Sequence, residues 1–125
     1  LIGIGLMSAI GLATPNTLLE APTMPVEAIL HDKQDIIAYI HTKDWNGDYA
    51  VKLFNCESGL NFKALNDNPI TGDFSVGIAQ INLYGNLAKD RPSKEQLYDA
   101  KFNIDYAYEM YKKDNFKPWS CVRRV

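Results

Sequence analysis

After Pro25 the apolar residues recur at helical spacing. Ile29, Leu30, Ile36, Ile37 and Ile40 share one side, and His31, Asp32, Lys33, Gln34 and Asp35 fill the other. This pattern predicts an amphipathic helix ending near Thr42. A turn at Asn46 and Gly47 leads to Asp48, a good N-cap, and then to Tyr49–Cys56 with no breaker before Gly59, which predicts a second helix. On it Ala50, Leu53, Phe54 and Glu57 fall at i, i+3, i+4 and i+7, so one carboxyl group shares the apolar stripe. The text then becomes turn-rich through Asn66, Asp67, Asn68, Pro69, Thr71 and Gly72, and short alternating pieces around Phe74 and Ile78 predict a small hairpin. Ser93 with Gln96 forms a capping box before Leu97, and Asp99 caps a longer helix from Ala100 to about Lys113, striped by Ile104, Ala107, Tyr108 and Tyr111. The tail from Phe116 to Cys121 is aromatic and broken by proline, which suggests a strap packed back onto the domain. Several amphipathic helices around one small hairpin make an α+β domain, mainly α.

The chain ahead of these elements reads differently. Leu1–Ala13 is almost wholly apolar with small residues interspersed, and Gly11 and Ala13 stand at signal-peptidase-like positions. Thr14–Pro25 carries Pro15, Pro22 and Pro25 without periodicity, as an extended linker does. Residues 1–25 are therefore expected to be a signal-peptide or membrane-anchor remnant plus linker, and residues 26–125 the folded domain. The apolar run is shorter than the roughly 20 residues a bilayer needs, so anchoring would require a longer native segment. A buried N-terminal helix is the alternative. The expected location is extracytoplasmic, either secreted or anchored by this segment.

At 125 residues the chain has room for one domain, and 46% apolar with 22% charged residues is the balance of a soluble globular protein. A formal charge of −2, with Arg123 and Arg124 as a dense basic pair at the very end, argues against strong nucleic-acid binding. Cys56 and Cys121 form no Cys-x-x-Cys pair and have no histidine at zinc-ligand spacing. Residues 66–73 have some flavour of a calcium loop, but Ile70 and Thr71 break the order of ligands. No metal and no cofactor are expected. His31 and His41 read as surface residues. In a cytosolic protein the two cysteines would be buried thiols, and in an exported one a disulfide.

Glu57 is the position with chemical content. An acid on an apolar stripe is expected to be partly desolvated, which favours its protonated form, and cleavage of a glycosidic bond needs a donor to protonate the leaving oxygen. The competing reading is an acid at a helix end that simply reaches water.

Two blocks narrow the choice. Cys56-Glu57-Ser58-Gly59-Leu60-Asn61-Phe62, followed by Ser75-Val76-Gly77-Ile78-Ala79-Gln80-Ile81-Asn82, resembles the lysozyme-like superfamily in its soluble lytic transglycosylase branch, which has a Glu-Ser-x-x-Phe helix end and a Gly-hydrophobic-x-Gln turn. Asn103-Ile104 with Ala107 and Tyr111 is similar to that branch's third motif. The likeness runs from about Asp44 to Cys121. The cysteines resemble those of resuscitation-promoting factors, where Cys-Glu-Ser-Gly opens the site and a Trp-x-Cys tail, here Trp119-Ser120-Cys121, returns to it. The Ala-Tyr-Asn-x-Gly segment of the transglycosylases is missing, and the Trp-bearing tail stands in its place.

The resemblance implies a lysozyme-like domain with the hairpin beside an active-site cleft, a Cys56–Cys121 disulfide, and a monomer acting on peptidoglycan glycan strands. It implies Glu57 as general acid and base at the β-1,4 bond between N-acetylmuramic acid and N-acetylglucosamine. Ser58 would order the catalytic loop, and Gln80, Asn82, Tyr108 and Trp119 would contact substrate. Tyr84, Tyr106 and Phe116 are further sugar-stacking candidates, although any one tyrosine is more readily core. A hydrolytic muramidase would need a second acid, for which Asp73 is the first candidate and Asp67 another. A glycan-binding module on the same fold without catalysis is the remaining alternative.

Overall fold

A computed structural model describes residues 32–125 of the chain. The signal-like segment, the proline linker and the expected start of the first helix at Ile29, Leu30 and His31 lie outside the described residues. Helix α1 spans Lys33–Ile40, and its N-cap is Asp32, whose carboxylate accepts the Gln34 N–H at 2.7 Å. Ile36 and Ile40 are fully buried and Ile37 is half-buried, so the predicted apolar side faces inward. Helix α2 spans Gly47–Ser58. Its N-cap is Asn46 rather than Asp48: Asn46 has the extended backbone of a cap, and its side-chain oxygen accepts the Tyr49 N–H at 3.1 Å. Asp48 lies in the first turn, where its charge still suits the helix dipole. The helix stops at Gly59, whose φ of +68° is a left-handed value that glycine adopts at little cost.

The sheet holds three antiparallel strands in the order β1 (Leu65–Asn68), β2 (Asp73–Val76) and β3 (Ile81–Asn82). Leu65 pairs with Val76, Asn68 with Asp73, and Ser75 with Asn82. The sheet therefore differs from the expected hairpin. Phe74 is in a strand, but Ile78 lies in the connection from β2 to β3, which turns through left-handed backbone at Gly77 (φ +79°) and Gln80 (φ +51°). A 3-10 turn over Gly85–Asp90 leads to α3 (Lys94–Leu97), which carries the complete Ser93–Gln96 capping box. Helix α4 runs from Ala100 to Asp114, capped by Asp99 as expected. A 3-10 turn over Ser120–Arg123 follows the tail. The fold is a mixed α+β arrangement, about half helical, with one small antiparallel sheet.

Its core joins α1, α2, the 76–81 segment and α4 through Ile36, Leu53, Phe54, Ile78, Ile81 and Ile104, each at most 1% exposed. Asn103 is buried in the middle of them, yet every polar atom of its side chain is used. Its carbonyl accepts the Ala79 N–H at 2.9 Å, and its amide donates to the Val76 and Leu97 carbonyls, both at 3.0 Å. Those bonds fix the β2–β3 connection to α4, which positions the candidate site. Gly77 sits against the same amide, so a Cβ there would collide with Asn103 Nδ2 and the Leu97 carbonyl. Gly77→Ala combines that clash with left-handed strain and is expected to cost about 2–4 kcal/mol, read as a lowered urea midpoint.

On the far side of α4, Asp105 accepts the Tyr39 hydroxyl at 2.5 Å and pairs with Lys43 at 2.6 Å, tying α1 to α4. Burial, reinforced by Asp105, holds the Tyr39 phenol above its ordinary range. For Lys43 burial pulls the other way, but hydrogen bonds to Asp105 and Tyr39 and the attraction of Asp105 together raise the ammonium's pKa.

Candidate active site

The first three residues of the α2 stripe, Ala50, Leu53 and Phe54, are all 0% exposed. Glu57, one turn further on, is half-buried: the helix ends one residue later and the tail closes over its carboxyl group. Neither reading of the sequence describes it fully, because it is neither in the core nor free in solvent. Oε2 accepts the backbone N–H of Cys121 at 2.8 Å and lies 3.4 Å from the Ser120 hydroxyl. Oε1 has no hydrogen-bond partner among the described residues. One oxygen is thus fixed by the fold while the other stays available.

The tail is held in place covalently. Cys56 and Cys121 form a disulfide with Cα atoms 6.1 Å apart, and each half-cystine adjoins a component of the site, Glu57 at one end and Ser120 at the other. Disulfides persist in oxidising compartments, so this bond points to an extracytoplasmic setting. No helix among the described residues is long and apolar enough to cross a membrane.

Ser58 links α2 to the β2–β3 connection. Its hydroxyl lies 2.6 Å from the Ile78 carbonyl and 3.2 Å from that of Phe54, so its one proton serves the Ile78 bond first. Two residues on, Gln80 adopts φ of +51°, a conformation that costs a β-carbon-bearing residue about 1 kcal/mol or more. Its Nε2 donates to the Gly77 carbonyl at 3.1 Å, and its Oε1 has no partner among the described residues.

Several of the other expected contacts have partners within the chain. Asn82 is occupied within the sheet: Oδ1 accepts the Phe74 and Tyr84 N–H groups at 3.0 and 2.9 Å, and Nδ2 donates to the Gly72 carbonyl at 3.0 Å. Trp119 is 4% exposed, its indole N–H donates to the Ala79 carbonyl at 2.8 Å, and its ring packs on Phe54 and Phe116. With both neighbours in place it offers no open face to a pyranose, and it serves instead as the anchor of the tail. Tyr108 lies edge-on to Trp45 at 5.3 Å and stacks on Tyr111 at 6.0 Å, within the aromatic cluster beneath α4. Phe116 joins that cluster through Tyr49, Trp45 and Tyr111. Tyr84 is 44% exposed. Asp73 opens β2 and accepts the Thr71 hydroxyl at 2.5 Å, a bond local to the hairpin turn. Asp67 is exposed in β1 opposite Phe74. Among the described residues no three His, Cys, Asp or Glu side chains converge to hold a metal.

A hollow of about 490 Å³ opens between α4, the tail and Arg91, and Glu57 is not part of its wall. The acid and the hollow are neighbours along the tail rather than one cavity. Three elements of the site escaped the sequence reading: the Cys121 N–H on Glu57, the Asn103 clamp and the Trp119–Ala79 bond. A backbone donor leaves no trace in a sequence, and Asn103, which the sequence placed in a motif block beside Ile104, gave no sign there of the three bonds it makes.

Compared with known proteins, the chain matches no family model, no curated protein and no solved structure.

Proposed function

We propose that the chain is a peptidoglycan lytic transglycosylase on a lysozyme-like fold, acting outside the cytoplasm as a monomer and without a cofactor. It would break the β-1,4 bond between N-acetylmuramic acid and N-acetylglucosamine. One observation carries this reading: Glu57 Oε2 is tied to the Cys121 N–H at 2.8 Å while Oε1 has no partner among the described residues. In the acid form Oε2 is the carbonyl-like acceptor, and the proton sits on Oε1. Oε1 gives that proton to the glycosidic oxygen as the C–O bond breaks. The resulting carboxylate then takes the proton of the muramyl 6-hydroxyl as that oxygen attacks the anomeric carbon, which restores the acid and closes a 1,6-anhydro ring. Gln80 supports the reading, since its Oε1, without a partner among the described residues, suits the N–H of an N-acetyl group and its backbone strain is of the kind stored at functional sites.

A hydrolytic muramidase would need a second carboxylate, and the candidates fit that role poorly: Asp73 is a hairpin-turn residue bonded to the Thr71 hydroxyl and, among the described residues, shares no hydrogen bond with the elements that hold Glu57, and Asp67 is exposed in β1. The one-acid route is therefore favoured. Mass spectrometry of fragments released from purified sacculi tests it. Anhydromuramyl ends are expected; reducing ends would replace the transglycosylase with a hydrolase, and absence of fragments would leave a glycan-binding module.

A further inference from the structure

The hollow beside the tail has a charge the rest of the chain does not share. Arg91, Lys113 and Lys117 contribute three cations to its wall, and Asp114 the single carboxylate. Two positive charges are thus in excess at one place in a chain whose formal charge is −2. None of the three cations is in an ion pair with a described residue, because the salt bridges involve other groups. Arg91 is also aimed: its Nη1 donates to the Asn82 carbonyl at 2.7 Å, which holds a half-buried guanidinium at the rim. Tyr106, Met110 and Pro118 give the same hollow an apolar floor.

Resting on the proposed glycan cleavage, we infer that this hollow is a subsite for the acidic peptide that the muramyl residues of peptidoglycan carry. The chemistry of the wall selects such a ligand. Cations with no ion pair among the described residues attract carboxylates, Asp114 suits a free amine, and the apolar part of the wall suits the aliphatic stretches between them. A compact phosphate would use the cations but neither Asp114 nor the floor. The volume, about 490 Å³, is that of an ordinary small-ligand site. Position agrees as well. Lys117 and Pro118 wall the hollow, while Ser120 and Cys121 touch the Glu57 carboxylate. Cys121 follows Pro118 by three residue steps, which limits their Cα atoms to a distance of about 11 Å. A peptide attached to the sugar being cut could therefore reach it.

The test measures binding and needs no turnover. Isotope-labelled protein is titrated with the free peptidoglycan tetrapeptide (L-alanine, D-glutamate, diaminopimelate, D-alanine), its fully amidated form, and inorganic phosphate. Shifts confined to Tyr106, Met110, Lys113 and Lys117 are expected with the acidic peptide. Affinity should fall about tenfold or more in Lys113→Gln/Lys117→Gln and recover in Lys113→Arg/Lys117→Arg, which controls for folding. Absence of shifts, equal binding of the amidated peptide, or equal binding of phosphate would overturn the subsite. Glu57→Gln should bind the peptide as wild type does, so the outcome stands whether or not the chain cuts glycan.

Discussion

Glu57→Gln is expected to lower the rate of glycan release from purified sacculi by roughly 10²–10⁴-fold, the range that a positioned general acid contributes. The substitution keeps the shape of the side chain, and the amide oxygen can still accept the Cys121 N–H that Oε2 accepts at 2.8 Å. It removes the group proposed to exchange a proton. The thermal midpoint should consequently stay close to wild type, which separates loss of chemistry from loss of fold. Glu57→Asp is informative in the other direction: it keeps the acid but withdraws it by one methylene from the tail, so a partial activity is expected. A Glu57→Gln protein as active as wild type would remove the catalytic assignment altogether.

Cys121→Ser is expected to destabilise the fold by roughly 4 kcal/mol and to reduce cleavage with it. The stability term comes from releasing a loop closed by a crosslink between residues 65 apart, for which chain entropy gives about that value. The activity term comes from the tail. Once it is untethered, the Cys121 N–H and the Ser120 hydroxyl no longer hold Oε2 at a fixed place. Cys56→Ser, and reduction of the wild type, should match Cys121→Ser in urea midpoint and in rate. If reduced protein, still folded at low temperature, cleaved glycan at the full rate, the tail would have no part in orienting the acid.

The helical elements were legible in the sequence because their signals are local. Asp99 and the Ser93–Gln96 box mark helix starts that the structure reproduces, and the stripe of Ala50, Leu53 and Phe54 is buried as its spacing requires. Where two polar residues competed for one cap, at Asn46 and Asp48, backbone geometry decided, and that geometry is set by the turn before the helix. The sheet was less legible. Its strands are short and partly exposed, and the β2–β3 connection is shaped by Asn103 and Leu97 from a distant part of the chain. Within the site, Glu57, Ser58 and the disulfide follow from the motif blocks. The roles of Trp119 and Asn82 did not, because a large aromatic ring or an amide looks the same in a sequence whether its partner is a sugar or the protein's own backbone.

The clamp made by Asn103 has a consequence for how the molecule can change. It fastens residues 76–79 from behind, through α4, while the Ala64 carbonyl ahead of β1 accepts the Gly77 N–H at 2.8 Å, so the segment bearing Gln80 is gripped from two sides. Ile70, at the tip of the loop between β1 and β2, is 94% exposed and takes no part in either grip. Insertions or exchanges at that tip should leave the working parts undisturbed, which makes it the natural place for variation, whether by drift or by an engineer.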